Sequence, residues 1–560
     1  MVILGVTYMA SINTGACLIV DGKLVAFAEE ERFIRVKHAP NYYPLQSIEY
    51  CLNVAGLTAD QIDYIAVGHG HLSEHSKIWS DPHFQNQGDI VNFEDHSHNY
   101  FYDVLNGWAI NDMNQYELPK RYWGINTIDK VKFYSHNQCH AASAVIPSKL
   151  GPTNYLSADG FGDSNAGVYG FFDGEEFHEY GYIHPFKTIG GFYSYVTEFI
   201  GFHQHGGEGK TMGLACYGKV DKNLLPEFSI VNENGIKECD TKAYGNYLNS
   251  IRDTELRTQI LQDNLAEPSV NMAATAQHYF EEYITSYFEY LHNQSGNTNF
   301  AVAGGCMLNC TTNGKLAQMD YVDNLFVQPA SADSGTALGA AILCHKEMTG
   351  EWPDVDFNTA YWGSEFSDVE IRRTLELNGL QYRRVDPSFE IAKLIKEDYV
   401  IGYFNGRAEV GPRALCHRSI LANPTKAENL NRVNIIKNRE FWRPLAPVMA
   451  EEYFYNIVES KQLSPFMLMA CEVKEEWRDR IPATTHVDNS CRPQSINKTQ
   501  NEVIHKALLK FKEMSGVPVF MNTSFNVGGE PLVDSPQDAI NSFLNSGLDA
   551  LILGNYCVIK

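Results

Sequence analysis

Residues Ala16-Cys17-Leu18-Ile19-Val20-Asp21-Gly22-Lys23-Leu24-Val25-Ala26-Phe27 read as an apolar strand, a tight Asp-Gly turn and a second apolar strand. Small and polar residues, Asn13-Thr14-Gly15, lead into the hairpin, and Val2 to Tyr8 reads as an earlier strand. The pattern returns 152 residues later. Val168-Tyr169-Gly170-Phe171-Phe172 runs into Asp173-Gly174 and then Glu175-Glu176-Phe177, behind the loop Asp159-Gly160-Phe161-Gly162-Asp163. Two loop-hairpin units at matching places suggest an internal duplication. Two unrelated Asp-Gly hairpins would give the same local pattern.

The neighbouring segments alternate between strand and helix. Ala276, Tyr279, Phe280, Tyr283, Ile284, Tyr287, Phe288 and Leu291 recur at helical spacing, which marks a core-facing helix. Strands are expected at Asn299 to Ala303 and Leu325 to Pro329, with a helix from Ala337. This is an α/β pattern. With the duplication it suggests an actin/Hsp70-like, two-lobed ATP fold, in which hairpin loops of two related halves face phosphate through backbone N–H groups. The texture changes at Gly350-Glu351-Trp352-Pro353-Asp354, and Val400 to Phe404 opens a second α/β region. The expected domains are 1–355 and 356–560. The acidic, aromatic segment 71–122 has weak periodicity and is expected to be an insertion.

Composition narrows the function classes. The 560 residues carry 44 Lys+Arg against 68 Asp+Glu, a net charge of −24. Such a chain repels polyanions, which argues against a nucleic-acid polymer or an anionic membrane as partner. No run of 18 apolar residues occurs and no signal-peptide pattern opens the sequence. The 12 cysteines include no CxxC pair, which fits reduced thiols in a cytoplasmic protein.

Several residues could carry chemistry. His136 and His140 lie at i, i+4 and share a helix face, a spacing used for metal ligation that also occurs incidentally. Asp159 closes a strand ahead of Gly160 and Gly162, which suits a metal or phosphate contact. Asp333 precedes a helix and is either a ligand or an N-cap. Two His and two Asp would suit Fe(II), Mn or Zn. From Asn405 to Arg443 there are eight Lys/Arg (Arg407, Arg413, Arg418, Lys426, Arg432, Lys437, Arg439, Arg443) against three Glu. A basic island in an acidic chain points to a small anion, with ordinary surface ion pairing as the alternative. Asn522-Thr523-Ser524-Phe525-Asn526 follows the strand Val517 to Met521 and reads as either a nucleotide-pocket wall or a plain loop.

Taken together the chain resembles the NodU/CmcH-type O-carbamoyltransferases. The motifs that carry the resemblance are VDGKLVAFAEEERFIRVKHAP, HNQCHAASA, ADGFGD, GEGKTMGLACYG, VAGGCMLNCTTNGKL, PASADSGTALGAA, GRAEVGPRALCHRS, KNREFWRPLAP, SCRPQSI and NTSFNVGGEPLVDSP. They span nearly the whole chain in order. The resemblance implies a threonylcarbamoyl-transferase-like N-terminal domain of actin-like fold and a YrdC-like C-terminal domain. It further implies two steps. Carbamoyl phosphate and ATP (with Mg as the nucleotide's cation) give carbamoyl-adenylate in the C-terminal domain. The N-terminal domain then passes the carbamoyl group to a hydroxyl and releases AMP.

By that resemblance Arg407, Arg413, Arg418, Lys437, Arg443 and Arg492 match the cationic positions of the adenylating site, and Asn522, Ser524 and Asn526 its polar wall. His136, His140, Asp159 and Asp333 match the metal ligands, with Fe(II) as the expected ion. Gly160, Gly162, Gly304, Gly305 and Asn309 match nucleotide-binding positions, and Lys210 lies in a motif facing the same cleft. His136, His140, Lys210 and Arg443 are the expected catalytic residues. The expected partner is a small-molecule hydroxyl acceptor, with no membrane, and a homodimer is compatible with the chain. A hydroxymethylated nucleoside, nucleotide or nucleic-acid base is an alternative acceptor. A non-catalytic nucleotide-binding homologue is the alternative from outside enzymology. One departure stands out. Family members usually carry a His-Asp pair in the first loop, where this chain has Ile12 and Asn13, neither of them a base; His203 and His205 are candidate substitutes.

Overall fold

The computed structural model describes residues 1–8, 12–40, 42–70, 129–163, 165–262 and 265–560. The segment 71–122, expected as an insertion, lies outside the described residues. The chain divides into two compact units. The first comprises Met1–Thr188, Ala301–Cys306 and Ala330–Asp356, and the second Ile189–Phe300, Met307–Pro329 and Phe357–Lys560. Strands and helices alternate in layered sheets, the α/β architecture expected from the sequence.

The first unit opens with β1 (Val2–Thr7), β2 (Gly15–Val20), β3 (Lys23–Glu29), β4 (Tyr64–Val67) and β5 (Val131–Phe133). They form one sheet in the order β3-β2-β1-β4-β5, with β1 antiparallel to β2 and parallel to β4. The β2-β3 turn places Asp21 at φ 48° and Gly22 at φ 76°, the paired left-handed residues that match the twist of a two-residue hairpin. β1 and β2 are buried almost throughout. Their near-continuous apolar runs follow from being covered on both faces. Leu4, Val6, Leu18 and Ala26 pack with Ile48, Cys51 and Leu52 of the helix Leu45–Ala55.

After β5 come α1 (His136–Ser148), β6 (Thr153–Ala158), β7 (Gly167–Phe172) and β8 (Phe177–Ile183). β6, β7 and β8 form an antiparallel meander, and residues 301–303 of β9 (Asn299–Ala303) lie beside β6. β4 stands beside β1 in the same way, so the repeat read from the two hairpins holds at the level of strand order. The second hairpin returns later than its sequence suggests. Asp173 Oδ1 accepts the N–H groups of both Glu175 and Glu176 at 2.8 Å, so these residues complete the turn and β8 starts at Phe177. The helix α2 (Ser334–Thr349) packs along α1. A Cβ on Gly339 would sit 1.8 Å from the Cys139 carbonyl oxygen, so only glycine permits this approach.

The second unit contains the 29-residue helix Glu267–Ser295, whose Tyr279, Phe280, Tyr283, Ile284, Tyr287, Phe288 and Leu291 are all buried core, as the periodicity implied. Its largest sheet has the order Arg383–Arg384, Tyr556–Ile559, Ala550–Leu553, Ile401–Phe404, Arg418–Ala422, Val519–Ser524, Ala446–Ala450, Gln494–Ile496. The strand expected to stop at Met521 runs on to Ser524, because Asn522, Thr523 and Ser524 pair with Leu421, Ile420 and Ser419. Asn522 and Ser524 are therefore strand residues, not loop residues. All twelve cysteines are thiols, and no helix among the described residues is long and apolar enough to cross a membrane.

Candidate active site

The first unit gathers four ligand-type side chains at the start of α1. His136 and His140 sit one turn apart on α1, Asp159 follows the last residue of β6, and Asp333 immediately precedes α2. One ligand atom from each lies within 4.8 Å of all the others. His136 Nε2 is 3.1 Å from His140 Nε2 and 3.2 Å from Asp159 Oδ2. His140 Nε2 is 3.4 Å from Asp159 Oδ2, and His136 Nε2 is 3.9 Å from Asp333 Oδ1. Ligands about 2.1 Å from one cation would be separated by about 3.0–3.4 Å, so the donor set fits a divalent transition-metal ion. The chemistry points the same way, since two carboxylates and two imidazoles would otherwise meet in a buried place. Asp333 occupies the N-cap position of α2, yet its side chain makes no capping hydrogen bond.

The backbone fixes how Asp159 points. Its Oδ1 accepts N–H groups of Gly160 at 2.8 Å and Gly305 at 3.1 Å. That leaves Oδ2 facing the imidazoles. Gly162 sits against Asn137 and His136, where a Cβ would come within 2.6 Å of Asn137 Nδ2. Gly304 has φ 96°. Thr188 Oγ1 donates to the carbonyls of Asp159 and Gly160. Burial opposes a charge on His136, but Asp159, Asp333 and Asp163 outweigh it and push its pKa up to about 9. Burial alone would raise the Asp159 carboxyl, yet the two imidazoles hold it well below the usual carboxylate range.

Asp163 was quoted within ADGFGD, but nothing in the sequence set it apart as a site residue. Its buried Oδ2 accepts the N–H of Gly70 at 2.6 Å and of His136 at 2.8 Å. It therefore holds the first turn of α1, with a negative charge on a helix N-terminus. His69 also escaped notice; its ring lies 5.2 Å from that of His136.

The second unit holds the basic island, and its members do different work. Burial, together with Arg492 and Arg443, pushes the Arg413 pKa down, and burial with Arg443 and Arg492 does the same to Arg439. Arg443 is lowered by burial and Arg492, against the pull of Glu440. Guanidiniums keep their protons regardless, so the direction reports burial first and repulsion between neighbouring guanidiniums second. The Nε atoms of Arg413 and Arg492 are buried with no hydrogen-bond partner. Guanidiniums gathered in this way could receive an anion without reorganising. Arg439, inside KNREFWRPLAP, stands among these guanidiniums. Lys210, on the helix Glu208–Ala215, pairs with Glu440 at 2.7 Å, and Glu440 lies 3.8 Å from Arg443.

The remaining basic residues are committed to protein groups. Arg418 is fully buried, donates to the carbonyls of Asn405, Gly406, His417 and Ser364, and stacks 3.6 Å from the Phe404 ring centroid. Arg407 donates to the carbonyls of Trp362 and Gly363. Lys437 Nζ lies 3.1 Å from Ser524 Oγ and 2.8 Å from Asn526 Oδ1, so the predicted lysine and polar wall do come together. Asn522 donates to the Ala414 carbonyl and Gln494. Asn309 caps the helix Cys310–Leu316 through the Thr312 N–H and bonds Gln277.

In the first loop, Asn13 Oδ1 lies 3.0 Å from Nδ1 of the half-buried His38. His38 stands inside a quoted motif, but 25 positions separate it from Asn13, so sequence gave no reason to join them. His203 and His205 are exposed members of the second unit.

Comparison with known proteins adds the family. The carbamoyltransferase N-terminus model matches residues 2–342, and the carbamoyltransferase C-terminus model matches residues 392–560. Nodulation protein NolNO of Sinorhizobium fredii is 32% identical over 562 residues, covering 97% of this chain and 78% of that protein. The 3'-hydroxymethylcephem-O-carbamoyltransferase of Amycolatopsis lactamdurans is 35% identical over 261 residues, covering 45% of this chain and 47% of that enzyme. Nodulation protein U of Bradyrhizobium diazoefficiens is 28% identical over 340 residues, covering 57% of each chain.

Proposed function

Since the chain belongs to the carbamoyltransferase family, we propose that it is an ATP-dependent O-carbamoyltransferase using carbamoyl phosphate and acting on a hydroxyl of a small metabolite. The observation that carries the reading is the guanidinium cluster of Arg413, Arg439, Arg443 and Arg492. Carbamoyl phosphate and ATP together bring several negative charges into one place, and a cluster already held in position meets them without reorganising. Carbamoyl phosphate, ATP and water would there give carbamoyl-adenylate, phosphate and pyrophosphate. Lys437, Ser524 and Asn526 supply a polar wall, and the Lys210–Glu440 pair keeps one more cation beside Arg443.

The second step is acyl transfer from a mixed anhydride. His136, His140, Asp159 and Asp333 would hold a divalent cation, with Fe(II) implied by the family, and that ion supplies a Lewis acid for polarising an acyl or phosphoryl oxygen. Gly160 and Gly305 orient Asp159, and Asp163 orients the start of α1, so backbone groups fix Asp159 and the position of His136. The acceptor hydroxyl must lose a proton, and the His38 imidazole, held against Asn13 of the first loop, is suited to take it.

ATP–pyrophosphate exchange with and without carbamoyl phosphate, on the wild type and on Arg443→Ala, tests the first step. Exchange that requires carbamoyl phosphate and disappears in Arg443→Ala supports the proposal. Absence of exchange in the folded, metal-loaded wild type overturns it and brings forward a nucleotide-binding protein without turnover.

A further inference from the structure

The second unit contains another convergent set of donor atoms, which the reaction above does not use. Cys216 directly follows the helix Glu208–Ala215, and His486 and Asp488 lie on the turn that leads into the strand Ser490–Cys491. One donor atom from each lies within 4.8 Å of the other two. We propose that Cys216, His486 and Asp488 bind a zinc-class divalent cation, distinct from the four-ligand set of the first unit, which clasps the helix carrying Lys210 to the segment that runs into Arg492.

The turn is built to present its two ligands together. The His486 N–H donates to the Ser490 carbonyl at 2.8 Å, and the Asn489 N–H donates to the His486 carbonyl at 2.9 Å. Asn489 takes a left-handed conformation, φ 65°, that closes the loop. Asp488 Oδ1 accepts the N–H and hydroxyl of Ser490 at 3.0 and 2.7 Å. The result is His486 Nδ1 only 3.6 Å from Asp488 Oδ1. Tyr217, next to Cys216, sets its ring edge-on to His486 with centroids 5.5 Å apart and donates its hydroxyl to the Trp442 carbonyl. That contact brings the cysteine segment against the turn.

The His486 side chain is 8% exposed, so its Nδ1 meets Asp488 at the edge of the interior. Asp488, by contrast, is 36% exposed, which gives a cation a way in and leaves a coordination position for water. The donors are one sulfur, one nitrogen and one oxygen. That mixture suits zinc, whose bonds of about 2.3 Å to sulfur and 2.0–2.2 Å to nitrogen and oxygen need only a small closing movement here. The four-ligand set of the first unit has no sulfur, so the two centres differ in chemistry as well as in place.

Cobalt(II) distinguishes them, because only a thiolate ligand gives an intense near-ultraviolet charge-transfer band. The full-length protein is stripped of metal and titrated with Co(II) as wild type, Cys216→Ser and His140→Ala. The expected result is a one-equivalent thiolate-to-cobalt band in the wild type and in His140→Ala, erased by added Zn(II) and absent in Cys216→Ser. No band in the wild type, or a band that survives Cys216→Ser, overturns the proposal. Asp488→Asn changes an exposed residue and serves as the fold-neutral variant. It should keep the wild-type circular dichroism and bind Zn(II) at least tenfold more weakly at this centre; an unchanged affinity removes Asp488 as a ligand and with it the site proposed.

Discussion

Asp163 makes the sharpest demand on this account, because it touches neither substrate nor cation. Its Oδ2 accepts two buried backbone N–H groups, from Gly70 and from His136. Each such charge-assisted bond is worth about 1.5–3 kcal/mol. A carboxylate at a partly buried helix N-terminus adds about 0.3–2 kcal/mol. Asp163→Asn keeps an oxygen for the two N–H groups but loses the charge, so each bond falls to about 1 kcal/mol and, with the helix-terminus contribution also lost, the net cost is about 1–6 kcal/mol. Asp163→Ala strands both donors and should cost about 4–6 kcal/mol. The same change loosens the first residue of α1, which is the proposed ligand His136. Groups that orient ligands typically contribute 10–100-fold to metal affinity, or about 1.4–2.7 kcal/mol. Denaturant titration followed by circular dichroism gives the stability change, and calorimetric titration with Mn(II) gives the affinity. Asp163→Asn with an unchanged unfolding midpoint and an unchanged Mn(II) affinity would refute the positioning role.

Further outcomes follow from the same geometry. The pKa of His136, raised to about 9 from 6.5, means that the metal-free site holds a proton at neutral pH. Metal binding should release one proton and weaken about tenfold per pH unit as pH falls below about 9, measurable by calorimetry in buffers of different ionisation enthalpy. The sign for the metal-free fold is opposite, since that contribution to stability is complete below pH 6.5 and is lost as pH rises through about 9. Arg418→Ala and Arg443→Ala should separate structure from anion binding. The first leaves four carbonyls without their guanidinium and should lower the unfolding midpoint sharply, while the second should leave the midpoint close to wild type and abolish pyrophosphate exchange. Gly305→Ala places a Cβ 2.8 Å from Asp159 Oδ1, so Mn(II) affinity should drop while the anion pocket of the second unit keeps its exchange activity. In carbamoyl-transfer assays His38→Ala should slow transfer about a hundredfold without changing exchange, and His203→Ala and His205→Ala provide the comparison; a normal rate in His38→Ala dismisses that imidazole.

The sequence by itself determined whatever depends on local periodicity. Continuous apolar runs about an Asp-Gly pair set the first hairpin, because a two-residue turn demands left-handed conformations that Asp and Gly adopt at low cost. The i, i+4 spacing of His136 and His140 put both imidazoles on one helix face, since 3.6 residues complete a turn. The aromatic stripe of Glu267–Ser295 went to the core for the same reason. Local signals also misplaced two boundaries. An Asp side chain accepting two N–H groups lengthened the second turn, and cross-strand pairing carried Val519–Ser524 three residues beyond its apolar run.

Only the tertiary structure decided which distant groups meet. Asp159 and Asp333 are 174 residues apart, and they reach the same histidines because the chain returns through Ala330–Asp356 to lay α2 along α1. Among the basic residues, charge alone could not sort Arg418, whose guanidinium donates to four carbonyls, from Arg413, Arg439 and Arg443, which are buried near other guanidiniums. Burial and partner geometry made that division. The joining of Asp163 to His136, of His38 to Asn13 and of Cys216 to His486 and Asp488 has no local signal, because each contact is made across 25 residues or more of chain. Secondary structure follows from interactions within a few residues, whereas a site is assembled by packing that brings remote side chains to a few ångströms.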